Sequence, residues 1–224
     1  MISSNFRSIC IIGADGAGKT TVGNEIVDQV QYSDRSYRYW WCGWREFRSF
    51  PFRAARKIAH LTGIIGDDRD RDASSTNRSA ADPSLFTKVL GLFYFSFVAV
   101  DHVLSTVPRA VKFALDDTPV IYDRYYFGML VGFCAYYSYS KRVVDLLMSF
   151  AALYPSPDVV IYLDVPPETA YERKADVPSP EYIVKRRQTY LHVVDEQITA
   201  TVDAGNSQEQ VVADVLEILE EDDA

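Results

Sequence analysis

Short β-branched and apolar runs alternate along the chain with longer stretches whose apolar positions recur every three or four residues. Residues 8–12, Ser-Ile-Cys-Ile-Ile, read as a buried strand, and a helix follows over about 20–31. Residues 37–42 form a second strand, and 52–61 a helix with Arg53, Arg56 and Lys57 on its polar side. An apolar helix is predicted over 85–104 and another over 108–115, ahead of a third strand at 118–124. Two helical segments, 128–139 and 143–154, end at Pro155-Ser156-Pro157. The fourth strand is 158–165, and Pro166-Pro167-Glu168 opens a helix with proline in the first turn and a carboxylate near the positive end of the dipole. A helix over 178–195, a fifth strand over 198–203 and an amphipathic helix over 208–220 complete the pattern. Strands alternating with helices predict an α/β fold, a central parallel five-stranded sheet with helices on both faces. Ligands of such sheets gather at the carboxyl ends of the strands, where Gly13, Arg45, Asp123-Arg124, Asp164 and Asp203 all fall.

One stretch breaks the pattern. Residues 66–84 mix charges and small polar residues with no apolar period, and read as a solvent-exposed insertion within a single domain spanning 1–224. The apolar window 89–100 is well short of the ~20 residues of a spanning helix, so a buried helix is expected and no membrane span. The aromatic residues between Tyr37 and Phe52 are read mainly as core.

Composition narrows the partners. A formal net charge of −8 argues against general nucleic-acid binding, which needs a basic face. Three scattered cysteines, Cys10, Cys42 and Cys134, match neither a zinc pattern nor a disulfide framework. The apolar run near the N-terminus leads straight into a glycine loop, unlike a signal peptide, so a reduced, cytoplasmic setting is expected.

That loop carries the chemistry. Gly13-Ala14-Asp15-Gly16-Ala17-Gly18-Lys19-Thr20 fits G-x-x-x-x-G-K-[ST] between a strand and a helix, with Thr21 continuing the helix. Its glycines let successive N–H groups turn inward onto phosphate oxygens, and the helix adds its unpaired N–H groups. Lys19 is placed to reach the β- and γ-phosphates of a nucleotide, and the Thr20 hydroxyl suits Mg²⁺. Asp123 and Arg124 end the third strand beside this cradle. There a carboxylate can hold Mg²⁺ through water or accept a proton, and an arginine can offset transition-state charge. Lys19, Asp123 and Arg124 are thus the candidate catalytic residues, and Thr20 and Asp123 the candidate metal ligands.

Together these segments resemble thymidylate kinases, a family of P-loop nucleoside monophosphate kinases. The glycine loop is similar to theirs, Asp123-Arg124-Tyr125 matches their Asp-Arg-Tyr segment, and residues 157–168 and 203–207 resemble their fourth strand and the loop near adenine. The resemblance implies that Asp15 faces the acceptor sugar. It also implies that Arg45, in a loop similar to Arg-Glu-Pro-Gly, contacts the acceptor phosphate, with Phe47 in place of the proline. His102 stands where the family has an arginine, and Phe97 lies beside Val98, where a thymine-stacking phenylalanine is expected. Arg124 and Tyr125 complete the implied acceptor site. A lid is implied over 173–187, with Arg173 and Arg186 closing over ATP. A homodimer is expected by resemblance alone.

The expected activity is Mg²⁺-dependent phosphoryl transfer from ATP to a nucleoside monophosphate, with thymidylate as the family substrate. Three alternatives stay open: a nucleoside kinase, a kinase of a sugar or lipid-linked acceptor, and an ATP-binding module without catalysis.

Overall fold

A computed structural model describes residues 2–43, 49, 84–173 and 180–220 of the chain. Five parallel strands form the central sheet: β2 (Ser8–Gly13), β5 (Arg38–Trp41), β6 (Val120–Asp123), β7 (Val159–Asp164) and β8 (Ala200–Asp203). Their order is β5-β6-β2-β7-β8, which puts the glycine-loop strand in the middle. Alternate residues of each strand feed opposite faces. Cys10, Ile12, Trp40, Tyr122 and Tyr162 pack on one side, and Ile9, Ile11, Ile121, Ile161 and Leu163 on the other. Both faces are covered, as the apolar strands require.

The helices are α1 (Lys19–Gln29), α2 (Leu85–Leu115), α3 (Tyr125–Tyr137), α4 (Lys141–Met148), α5 (Pro167–Arg173), α6 (Pro180–Gln197) and α7 (Gln208–Glu220). Helices α1 and α7 bury their apolar sides with Ile9 and Ile11, while α2 and α3 pack with Cys10 and Ile12. A small sheet joins β1 (Ile2–Ser3), β3 (Val30–Tyr32) and β4 (Arg35–Ser36), in the order β1-β3-β4. Strands of two or three residues carry no readable period, so the sequence does not announce them.

Three features differ from expectation. Residues 85–104 and 108–115 form one helix, with Pro108 inside it. The bond that proline removes would end on the Leu104 carbonyl, and Leu104 is half exposed, so water can serve that group. Second, α3 begins directly after Arg124, and the segment 143–154 divides into α4 and a 3₁₀ turn at Ser149–Leu153. Third, α2 is buried on one face only. Phe95, Val98, Asp101, His102 and Phe113 point inward, while Phe86, Leu90, Phe93, Phe97, Val100 and Leu104 are exposed. By length and composition this helix could cross a membrane. Its inward Asp101 and His102 nevertheless bond to Ser49 and to the Cys42 carbonyl of the same chain. The helix predicted over 52–61 and nearly all of the 66–84 insertion lie outside the described residues.

Candidate active site

The sheet register sets the site. Ile11 of β2 is level with Asp123 of β6, Gly13 with Leu163 of β7, and Asp164 with Asp203 of β8, so the strand ends at Gly13, Asp123, Asp164 and Asp203 lie along one edge of the sheet. At Gly13 a Cβ would stand 2.6 Å from the Leu163 carbonyl oxygen, and at Gly16 (φ +88°) 2.5 Å from that of Ala170. Only glycine fits either position, and the loop of Gly13, Ala14, Asp15, Gly16, Ala17 and Gly18 lies close against β7 and α5 as a result. Gly18 caps α1, which opens with Lys19, Thr20 and Thr21.

Lys19 is buried, and its Nζ donates to the Ala14 carbonyl at 2.6 Å. Burial and then the neighbouring Arg124 push its ammonium down to about 7, against the opposing pull of Asp123 and Asp15. Above it, Arg124 Nη2 donates to Asp15 Oδ1 at 2.5 Å, and Arg186 Nη1 donates to Asp15 Oδ2. Burial opposes ionisation of Asp15, but Arg186 and Arg124 together hold its carboxyl well below the usual range. Asp123 is buried; its Oδ2 accepts from the Tyr39 hydroxyl, and that hydroxyl is 3.4 Å from Thr20 Oγ1. Thr20 and Asp123, the predicted metal ligands, therefore share one neighbour.

The Asp-Arg-Tyr segment is held in an uncommon backbone form. Arg124 and Tyr125 both have positive φ, +74° and +44°, at the junction of β6 and α3. Such residues cost about 1–3 kcal/mol each and persist where surrounding structure enforces them. Here the Arg124 N–H donates to the Ile11 carbonyl, extending the ladder. Gly128 leaves room for the Arg124 stem, since a Cβ there would be 2.5 Å from Arg124 Cβ.

Three cationic groups, Lys19, Arg124 and Arg186, thus face two carboxylates, Asp15 and Asp123. Arg124 Nε, Arg186 Nε and Nη2, and Asp123 Oδ1 are buried without a hydrogen-bond partner. Unmet buried donors cost about 1–3 kcal/mol each, and surplus donors beside a glycine cradle suit a polyphosphate. An unmet carboxylate oxygen suits a cation or its water. Donor set and cradle therefore fit ATP with Mg²⁺.

The acceptor-side expectations fare differently. His102 is buried, with Nδ1 2.7 Å from the Tyr154 hydroxyl and Nε2 2.8 Å from the Cys42 carbonyl oxygen. A carbonyl only accepts, so Nε2 carries the proton and the ring braces the end of β5 instead of meeting solvent. Tyr125 is fully buried, its hydroxyl donating to the Pro155 carbonyl at 3.1 Å. Phe97 stands on the exposed face of α2, edge-on to Phe93. Arg45 lies outside the described residues, as do lid residues 174–179. Of the remaining lid cations, Arg173 donates to the carbonyls of Ala204 (2.7 Å) and Asn206 (3.0 Å), bracing the loop after β8. Arg187 grips Asp164 at 2.7 and 2.8 Å, Lys185 reaches Ser138, and Arg186 alone enters the phosphate loop. Tyr39, read from sequence as core, belongs to the site; its only sequence signal is a hydroxyl on the strand beside the one ending in Asp123.

Comparison with known proteins agrees with this geometry. The thymidylate kinase family model matches residues 87–215. A probable thymidylate kinase of Archaeoglobus fulgidus is 35% identical over 95% of this chain and 94% of its own length. One from Staphylothermus marinus is 31% identical over 45% of this chain and 52% of its own. The fold is similar to a deoxyadenosine kinase from M. mycoides solved with dATP, at a TM-score of 0.56, 18% identity and coverage of 95% and 98% of the two chains. A P-loop set between Asp123-Arg124 and Arg186, in a chain matched nearly end to end by such a relative, makes this protein a nucleotide kinase belonging to the thymidylate kinase family.

Proposed function

We propose that the chain transfers the γ-phosphoryl group of ATP to thymidylate, giving dTDP and ADP. The observation that carries this reading is the cluster of Lys19, Arg124 and Arg186 around Asp15 at the mouth of the glycine loop. In it, loop N–H groups and Lys19 would bind the β- and γ-phosphates of ATP. Arg124 and Arg186 would trade their bonds to Asp15 for phosphate oxygens, placing positive charge where negative charge grows in the transition state. Freed from them, Asp15 would accept from a sugar hydroxyl. Thr20 and Asp123 would hold Mg²⁺, which would neutralise phosphate charge as it builds on the transferring group. Such a site works by positioning and electrostatics, with no covalent intermediate.

A second reading is favoured by one observation. His102, which replaces the family arginine, is turned inward with both ring nitrogens engaged by Tyr154 and the Cys42 carbonyl, so it presents no donor to an acceptor phosphate. That loss suits an unphosphorylated nucleoside. A coupled ADP-release assay over nucleoside monophosphates, nucleosides and sugars separates the readings: thymidylate supports turnover under the first, thymidine under the second.

The exposed apolar residues of α2 favour a homodimer. Phe86, Leu90, Phe93, Phe97, Val100 and Leu104 follow one another at alternating spacings of four and three. That is the seam a partner helix packs against. A cytoplasmic enzyme, anchored to neither membrane nor nucleic acid, fits the net charge of −8 and the free cysteines.

A further inference from the structure

Tyr39 joins the two residues assigned to the metal, and the geometry explains how. It sits on β5, level with Ile121 of the neighbouring β6, two residues before Asp123. Its ring lies over α1 where Gly23 has no side chain; a Cβ there would be 2.5 Å from Tyr39 Cε2 and 2.7 Å from Cδ2. Gly23 is three residues beyond Thr20, so the glycine that admits the ring belongs to the helix that carries the metal-binding hydroxyl. The hydroxyl then reaches Asp123 Oδ2 and comes within 3.4 Å of Thr20 Oγ1.

A phenol has one proton to give. Thr20 has a proton of its own to contribute, whereas the Asp123 carboxylate only accepts, so the Tyr39 proton goes to Oδ2. With Oδ2 taken, Oδ1 is the carboxylate oxygen left without a hydrogen bond: it is buried, and Arg124 Nε faces it only at ion-pair range, 4.0 Å. An unrestrained carboxylate would rotate and present either oxygen. One whose outer oxygen is tied to a packed ring presents a single face, as partners behind metal ligands commonly enforce.

We propose that Tyr39 is a positioning residue for the metal: it holds Asp123 by Oδ2 so that Oδ1 stays available to Mg²⁺ or its water, with Gly23 keeping the space its ring needs. This rests on the assignment of Thr20 and Asp123 to Mg²⁺.

The test is calorimetric titration of the full-length protein with a non-hydrolysable ATP analogue, once in EDTA and once in excess Mg²⁺. Its readout is the gain in affinity that the metal confers. Tyr39→Phe keeps the ring and removes only the hydroxyl. It is expected to bind the analogue like wild type in EDTA and to lose about tenfold or more of the Mg²⁺-dependent gain. Gly23→Ala, checked for folding by circular dichroism, should displace the ring and lose the gain likewise. The proposal is overturned if Tyr39→Phe keeps the whole gain while Asp123→Asn loses it. If Asp123→Asn also keeps it, the metal assignment itself fails and takes this inference with it.

Discussion

Lys19 makes a quantitative prediction about protons. In the ligand-free enzyme its ammonium is pushed down to about 7 by burial and by Arg124, with Arg186 adding to the effect and Asp123 and Asp15 opposing it. A bound polyphosphate would surround the same group with negative charge and return it towards the ordinary lysine value of about 10.4. Binding must then take up a proton wherever free Lys19 is neutral and bound Lys19 charged, the window from about pH 7 to 10. At pH 8.5 a group of pKa 7 is about 3% protonated and one near 10 about 97%, so uptake should be about 0.9 proton per nucleotide. Affinity for metal-free ADP should fall about 25-fold between pH 6.5 and 8.5 on the same arithmetic. Calorimetry in two buffers of different ionisation enthalpy measures the uptake directly. Lys19→Arg, charged throughout, should show almost none. An uptake below about 0.2 proton in the wild type at pH 8.5 would mean that Lys19 is already charged in the free enzyme. Linkage also fixes a sign for stability: the unfolded chain binds more protons at Lys19 across this window, so its contribution to the stability of the ligand-free enzyme rises with pH.

Other consequences can be checked separately. Arg186→Ala should lower kcat by about 10²-fold or more in a steady-state assay, as expected for a cation at the transferring group; unchanged kcat would remove Arg186 from the site. Lys19→Ala should abolish turnover in the same assay while leaving the circular dichroism spectrum intact. Gly16→Ala, forced against the Ala170 carbonyl at positive φ, should cost about 2 kcal/mol and lower Tm by about 4–8 °C in calorimetry. Phe93→Glu with Phe97→Glu should convert a dimer to monomer by size exclusion with light scattering, and a wild-type monomer would contradict the α2 interface.

How much the sequence reveals follows from how local each feature is. The glycine loop is legible because strand, turn and helix are contiguous and each has its own composition. Asp123-Arg124 is legible as charge at the end of an apolar strand. Lys185, Arg186 and Arg187, by contrast, are one basic run in sequence. On a helix each successive side chain turns by about 100°, so the run reaches three different targets: Ser138, Asp15 and Asp164. Arg186 meets Asp15 across 171 residues, a contact no local pattern encodes. Pro108 looks like a break because a lost hydrogen bond usually ends a helix, and the half-exposed turn before it supplies the exception. His102 looks like a weakened phosphate ligand until the Cys42 carbonyl and the Tyr154 hydroxyl are seen on its two nitrogens.

The most direct test of the central claim is the chemical identity of the product. Phosphorus NMR of the enzyme with ATP, Mg²⁺ and either thymidylate or thymidine reads out which bond is made. A pyrophosphate coupling from dTDP is expected, growing with thymidylate and absent in Lys19→Ala. A monophosphate resonance growing from thymidine, with thymidylate left untouched, would contradict it.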